Sequence, residues 1–177
     1  MSDTPHDNGH QYPADTCIGI LSDSHGQFDM TRNAIDVLTQ AGAQVFIHTG
    51  DICDERVLDT LAGLKAHVVF GNCDWNWQHL ARYAELLGVH AQHPCGRISV
   101  GEATIAFAHG DRPSHERSSV AKQVDYFCHG HTHEIRDERK GSTRVINPGA
   151  LYNARRYTVA TLHPARDVLE FLEVPSA

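Results

Sequence analysis

Residues 45–54 read VFIHTGDICD, an apolar run of strand type that ends abruptly at Gly50 and Asp51. The pattern predicts that Asp51 projects from the tip of a buried strand, where the glycine permits a sharp turn of the chain. In a parallel α/β sheet, ligands bind at the carboxyl ends of the strands. Taken alone, the Gly50-Asp51 pair is weak evidence for a functional carboxylate, because a turn aspartate that caps the next helix has the same pattern.

Four further apolar runs along the chain end in the same way. The polar segments that follow them are SDSH at 22–25, GNCD at 71–74, HGD at 109–111 and HGHTH at 129–133. Carboxylate, amide and imidazole groups together favour Mn, Fe, Zn, Ni or Co over Ca or Mg alone. We therefore expect Asp51 to bridge two metal ions, with the other strand ends supplying the remaining ligands.

The composition indicates one domain. The chain has 177 residues and is 41% hydrophobic, which is ample for a core in a protein of this size. Residues 1–15 lack periodicity and are predicted to form a disordered tail. No stretch approaches the ~18 consecutive apolar residues of a membrane span. The N-terminus has neither the basic nor the apolar region of a secretory signal.

Charge and cysteine content narrow the class of protein. Five cysteines, an odd number without a CxxC pair, argue against a disulfide framework and predict a cytoplasmic location. The formal net charge of −7 gives no support to a membrane-binding or extended nucleic-acid surface. Two bound divalent cations would make a site in an acidic protein locally positive, so a small phosphate-ester substrate remains allowed.

The first half of the chain alternates strands and helices. Strands are predicted at 16–22, 45–50 and 66–70, and apolar stripes of helical spacing follow each of them. Gly42 is expected to end the first helix. Short connections between these elements indicate right-handed βαβ units and a parallel sheet.

The second half is rich in hairpins. Strand pairs are predicted on either side of Gly101-Glu102 and of residues 163–167, with a short helix from Ser114 to Val120 between them. The whole order predicts an α/β fold in which two mixed β-sheets pack face to face, with helices outside.

The polar segments resemble the signature of the calcineurin-like metallophosphoesterases, which reads D-x-H, G-D-x-x-D, G-N-H-D/E, H and G-H-x-H in this order. The resemblance spans about residues 18–150, and size and the GNCD variant are most similar to the small prokaryotic phosphodiesterase branch. It implies the metallophosphoesterase sandwich fold and a catalytic domain over residues 16–177. It also implies two divalent metal ions. Mn²⁺ is the expected metal, and Fe, Zn, Ni, Co or Mg are alternatives.

The resemblance also implies a role for each matching residue. The first metal would be bound by Asp23, His25, His133 and Asp51. The second would be bound by Asp51 together with three further side chains, which are Asn72, His109 and His131. Asp51, Asn72 and His109 would be the catalytic residues, in a reaction where a metal-bridging hydroxide attacks phosphorus in line.

Three neighbouring positions are candidates for support or substrate contact, namely Asp54, Cys73 and Asp74. The two aspartates are expected to orient ligands through hydrogen bonds. Cys73 departs from the family pattern, in which larger phosphatases have a histidine that assists the leaving group. Because a thiol carries no positive charge at neutral pH, we expect phosphodiesters to be better substrates than phosphomonoesters.

Two functional hypotheses remain open. The first is a dimetal phosphoesterase. The second is a metal-stabilised protein-interaction module, since the same branch contains a retromer subunit that has lost catalytic ligands. All seven ligand positions are filled in this chain, which favours the enzyme. An exposed edge strand or the region around Trp75 would support a homo-oligomer.

Overall fold

The computed structural model describes residues 10–176, which form two six-stranded sheets packed against each other. In chain order the elements are β1 (Gln11–Tyr12), β2 (Ile18–Leu21), α1 (Phe28–Gln40), β3 (Val45–His48), α2 (Glu55–Asp59), β4 (Ala66–Val68), α3 (Trp77–Leu86), β5 (His90–Ala91), β6 (Cys95–Val100), β7 (Ala103–Ala108), α4 (Pro113–Ala121), β8 (Tyr126–Cys128), β9 (Ile135–Lys140), β10 (Thr143–Pro148), β11 (Thr158–His163) and β12 (Val168–Glu173).

The βαβ sheet has the strand order β12-β11-β2-β3-β4-β5, and the hairpin sheet has the order β1-β6-β7-β8-β10-β9. Strands β2 to β5 are parallel, and the β11–β12 hairpin adds to β2 in antiparallel orientation. In the hairpin sheet, β8 is parallel to both β7 and β10, whereas β6–β7 and β9–β10 are antiparallel pairs. The predicted α/β fold with two mixed sheets is confirmed.

The continuous apolar runs follow from burial of the βαβ sheet on both faces. Side chains alternate along a strand, so Val45 and Ile47 of β3 pack with Ile105 and Phe107 of the hairpin sheet. Phe46 points the other way and belongs to the cluster that contains the buried side chains of α1, α2 and α3. The two clusters hold the tips of β2 and β3 in place from both sides.

Most predicted elements are found close to their expected bounds. Gly42 follows α1 with φ 91°, as expected of a glycine that ends a helix. The two strand pairs around Gly101-Glu102 and after Thr158 are also present. Helix α4 begins at Pro113 and not at Ser114, because proline is favoured at the first helical position.

The prediction of a tail over residues 1–15 is wrong at its C-terminal end. Residues 1–9 lie outside the described residues, but Gln11–Tyr12 pair in parallel with Ser99 and Val100 of β6. The phenol of Tyr12 is 2.7 Å from Nε2 of the buried His67, and this contact anchors the strand. In the part of the chain that the structure describes, every helix is too short or too polar to cross a bilayer.

Candidate metal centre

The candidate site lies where the carboxyl ends of parallel strands in both sheets meet. Within the βαβ sheet, the N–H of Asp23 donates to Gly50 O at 3.0 Å and the N–H of His25 donates to Asp51 O at 2.8 Å. The loop from the hairpin sheet is joined to them, because the N–H of His131 donates to Asp23 Oδ2 at 3.0 Å. Three loops that are distant in sequence are thus joined, two through backbone–backbone hydrogen bonds and the third through the Asp23 carboxylate.

A first group of side chains gathers around Asp23. The ligand atoms of Asp23, His25 and His133 all lie within 4.8 Å of one another, and His133 Nε2 is 3.3 Å from Asp23 Oδ1. His25 Nε2 is also 3.4 Å from Asp51 Oδ2, so Asp51 borders this group. These are the four side chains expected at the first metal.

A second group gathers on the other side of Asp51. His109 Nε2 lies 3.4 Å from Asp51 Oδ2 and 3.1 Å from Asn72 Oδ1. The imidazole rings of His109 and His131 are 5.1 Å apart between centroids. The structure therefore brings all seven predicted side chains into one region, with the Asp51 carboxylate between the two groups.

The orientation of His109 is set by its backbone contact. Its Nδ1 is 3.0 Å from Thr49 O, and since a carbonyl oxygen only accepts, Nδ1 carries the proton. Nε2 then faces Asp51 and Asn72 and is the ring nitrogen available to a metal ion. The ring is 1% exposed, so this orientation is enforced by packing.

The donor set fits a pair of divalent cations. Nε2 of His25 is buried and makes no hydrogen bond within residues 10–176, although such an atom normally has a partner. Two buried carboxylates, Asp23 and Asp51, lie among imidazole nitrogens that approach them at 3.3–3.4 Å. A mixed set of carboxylate, amide and imidazole groups suits Mn, Fe, Zn, Ni or Co.

The electrostatics of the site favour an ionised carboxylate at Asp51. Burial opposes ionisation, but the hydrogen bond and charge of His109 outweigh it and hold the pKa of Asp51 below its usual range. Burial likewise opposes a charge on His109, whereas Asp51 and Asp23 raise its pKa above the ordinary value. Metal ligation needs an anionic carboxylate, which the site therefore provides.

Two glycines allow the loops to approach the ligands closely. A Cβ on Gly71 would lie 2.2 Å from Asp51 Oδ1, and one on Gly130 would lie 1.8 Å from Ser22 Oγ. Neither position has room for a side chain. The glycines of the GNCD and GHTH segments are thus required by steric contact with the site.

The three neighbouring candidates have different surroundings. Asp74 is buried, and its carboxylate accepts hydrogen bonds from the N–H groups of Cys53 and Gly71, both at 2.7 Å. Asp54 instead caps α2, with Oδ1 accepting from the N–H of Arg56 at 2.8 Å. Asp74 therefore ties two site loops together, whereas Asp54 belongs to the helix that follows.

Cys73 was predicted as a residue that supports the metal ligands or contacts substrate, but its side chain lies directly beside two of the predicted ligands. Its Sγ and ligand atoms of His25 and Asp51 lie within 4.8 Å of one another, and its N–H donates to Asp51 Oδ1 at 2.9 Å. Burial, with a further contribution from Asp51, raises the pKa of the thiol to about 11.

Two supporting residues were not identified as such from the sequence. His48 is fully buried and connects two loops, with Nε2 2.7 Å from Ser24 Oγ and Nδ1 accepting from the N–H of Gly50. Asn147 donates to Gly130 O at 2.9 Å and so supports the GHTH loop. His48 is close enough in sequence to Gly50 and Asp51 to be a candidate for support, but core packing explained it equally well. Asn147 belongs to an Asn-Pro-Gly segment that resembles a structural turn of the family.

Comparisons with known proteins agree with this geometry. The profile of the calcineurin-like phosphoesterase superfamily domain matches residues 17–167. Phosphodiesterase MJ0936 of Methanocaldococcus jannaschii is 26% identical over 138 residues, which cover 75% of this chain and 82% of that protein. Phosphodiesterase YfcE of Escherichia coli is 25% identical over 147 residues, covering 75% of this chain and 77% of that one.

A solved structure shows the same fold. It is described as a novel archaeal phosphodiesterase, and it superposes with a TM-score of 0.79 at 22% identity. The match covers 89% of this chain and 99% of that one. At this level of identity the likeness establishes the shared architecture.

Proposed function

The chain belongs to the calcineurin-like phosphoesterase superfamily, and from this premise we propose that it is a dimetal-dependent phosphodiesterase. The observation that carries the proposal is the position of Asp51, whose Oδ2 is 3.4 Å from the Nε2 atoms of both His25 and His109. One carboxylate oxygen between two imidazoles is the arrangement expected of a residue that bridges two cations.

We assign the first metal to Asp23, His25, His133 and Asp51. The second is assigned to Asp51 and the three side chains grouped beyond it, which are Asn72, His109 and His131. When bound, two divalent cations would lower the pKa of water and neutralise charge on phosphoryl oxygens. Mn²⁺ is the proposed metal, and a small phosphate ester is the proposed substrate.

Asn72 and His109 have complementary roles in this proposal. The Oδ1 atom of Asn72 faces His109 Nε2 at 3.1 Å, and the side-chain NH₂ makes a weak contact with Cys73 Sγ at 3.5 Å. The second hydrogen of that NH₂ can donate to a phosphate oxygen. His109 cannot rotate away, because Thr49 O fixes its Nδ1. Both side chains are therefore preorganised before a substrate binds.

The preference for diesters is based on Cys73. A thiol is neutral or anionic and never cationic, so Cys73 offers no cationic acid at the position where larger phosphatases have a histidine. Phosphomonoesters with poor leaving groups need such assistance more than activated diesters do. Bis(p-nitrophenyl) phosphate is therefore expected to be hydrolysed faster than a phosphomonoester with an alkoxide leaving group, such as glycerol 2-phosphate, and the reverse order would refute this part of the proposal.

The central test combines metal exchange with Asp51→Asn. The protein is stripped with a chelator, and Mn²⁺, Mg²⁺, Ni²⁺ or Zn²⁺ is added back before hydrolysis of bis(p-nitrophenyl) phosphate is measured. We expect metal-dependent activity that Asp51→Asn reduces at least about 100-fold, because loss of even an outer-shell partner costs 10–100-fold. Asp36→Asn, an exposed change on α1, is the control.

The alternative hypothesis, a metal-stabilised protein-interaction module, predicts a different result. In that case the wild-type protein would bind metal, as measured by calorimetry, but would not hydrolyse any phosphate ester in the screen. Activity that survives both chelation and Asp51→Asn would refute the metal-dependent mechanism itself. Sedimentation velocity would test the proposed homo-oligomer independently of either result.

A further inference from the structure

A cleft of about 250 Å³ opens directly beside Asn72. Gly71, Asn72 and Asp74 form one wall, which is the segment that carries the proposed ligand. The opposite rim includes Asp111 and Arg112, two and three residues beyond His109. A substrate whose phosphate lies at the metal centre would therefore extend one of its ester groups into this space.

The cleft is lined by aromatic rings. Trp77 and His93 are 4.4 Å apart between ring centroids, and Phe70 lies 6.3 Å from Trp77 and 5.8 Å from His93. Trp77 packs against the core, but Trp75 also lines the cleft and is 91% exposed. The face of the Trp75 indole is therefore accessible to a planar group that enters the cleft.

Two polar atoms in the lining have no partner. The Nδ1 atoms of His93 and His115 are buried and make no hydrogen bond with any residue that the structure describes. Burial lowers the pKa of both histidines, so the rings are neutral and can donate or accept. Because both nitrogens are shielded from solvent, the two neutral imidazoles contribute to the cleft as uncharged aromatic lining.

We propose that this cleft binds the nucleobase of a nucleoside phosphate ester, with Trp75 stacking on the base and the uncharged rings of His93 and His115 lining the space around it. The assignment rests on the proposed phosphodiesterase function and names its substrate class. A volume of about 250 Å³ lies at or below the lower end of small-molecule sites, which begin near ~300 Å³. The cleft therefore takes one base and not a longer oligonucleotide.

The test compares two ligands that differ only in the base. Adenosine 5′-monophosphate and ribose 5-phosphate are titrated by calorimetry into the Mn²⁺-loaded protein, so the readout does not depend on turnover. Because stacking on an aromatic side chain accounts for most of the expected gain, the nucleotide should bind at least about fivefold more tightly. Trp75→Ala and His115→Ala should weaken nucleotide binding and leave ribose 5-phosphate unchanged.

Leu86→Ala is the matched control. Leu86 is a similarly exposed apolar residue at 84%, and it lies at the end of α3, outside the cleft lining. Three results would overturn the inference. The two ligands could bind with equal affinity, neither could bind, or Trp75→Ala could weaken the affinity for both ligands equally. If any of these occurs while metal-dependent hydrolysis persists, the substrate class is wrong and the phosphodiesterase proposal stands.

Discussion

Replacement of Asp74 by asparagine tests how the metal centre is supported. Each carboxylate oxygen accepts one short hydrogen bond, from Cys53 N–H and from Gly71 N–H. The amide keeps one acceptor and turns an NH₂ group toward the other N–H. A hydrogen bond to a charged group contributes about 1.5–3 kcal/mol. Burial raises the pKa of Asp74, so removal of the charge recovers part of that loss.

The net expectation for Asp74→Asn is a loss of about 1–3 kcal/mol in the free energy of unfolding. For a chain of this length that lowers Tm by roughly 3–10 °C. Because the two bonded segments carry Asp51 and Asn72, metal affinity should fall by about 10–100-fold. Urea unfolding measures the first quantity, and calorimetric titration with Mn²⁺ measures the second.

Asp54→Asn provides the control within the same motifs. Asp54 caps α2, and asparagine is an equally good residue at that position. Its unfolding free energy and metal affinity should therefore remain close to wild type. If Asp74→Asn and Asp54→Asn behaved alike in both measurements, the distinction drawn between the two aspartates would be refuted.

Two further predictions concern stability away from the site. Burial opposes the charge on Glu116, but hydrogen bonds from Arg136 and Lys140 at 2.8 and 2.6 Å prevail and lower its pKa to about 2. Glu116→Gln should therefore lower the free energy of unfolding by about 1–2 kcal/mol at pH 7. Urea unfolding should show this difference from wild type fading as the pH falls from about 4.5 toward 2. A difference that stays constant over this range would contradict the ion pairing. A Cβ on Gly96 would lie 2.1 Å from the buried ring of Phe107, so Gly96→Ala should cost about 1–3 kcal/mol. Adding Phe107→Leu should relieve that strain, and strictly additive losses would refute the steric explanation.

The location of the site followed from a simple property of the sequence. A strand buried on both faces is apolar throughout, so the residue at which the apolar run stops marks the end of the strand. The runs before Asp23, Asp51 and His109 all stop in this way, and residues 18–21, 45–48 and 105–108 are buried in the structure. Where such strands are parallel and adjacent, their final side chains must meet.

Elements without an apolar signal could not be predicted. Strand β9 has the sequence IRDERK, in which five of six side chains are charged. It is a strand because its backbone pairs with all six residues of β10. Arg136 also forms an ion pair with Glu116 of α4. Charged residues are common on edge strands, but only the folded arrangement shows which segment forms the edge.

The roles of Asp54 and Asp74 were likewise beyond the sequence. Both follow a motif residue by a few positions, and either could have oriented a ligand. Which backbone N–H groups face each carboxylate depends on how the GDICD and GNCD loops pack against each other. That packing involves positions some twenty residues apart, such as Cys53 and Asp74, and no local pattern encodes it.

The backbone itself gives a further argument for function at this site. Nine non-glycine residues in the described chain have positive φ, and five of them are predicted ligands, with φ between 41° and 69°: Asp23, His25, Asp51, His131 and His133. Such conformations cost of order 1–3 kcal/mol each and persist only where the surroundings enforce them. Here the enforcement comes from buried strands and from the loop-to-loop hydrogen bonds of Asp23 and His25. Glycine adopts such conformations without this cost, yet five of the nine positions carry predicted ligands. The strain is therefore explained by what the side chains do together at the strand ends.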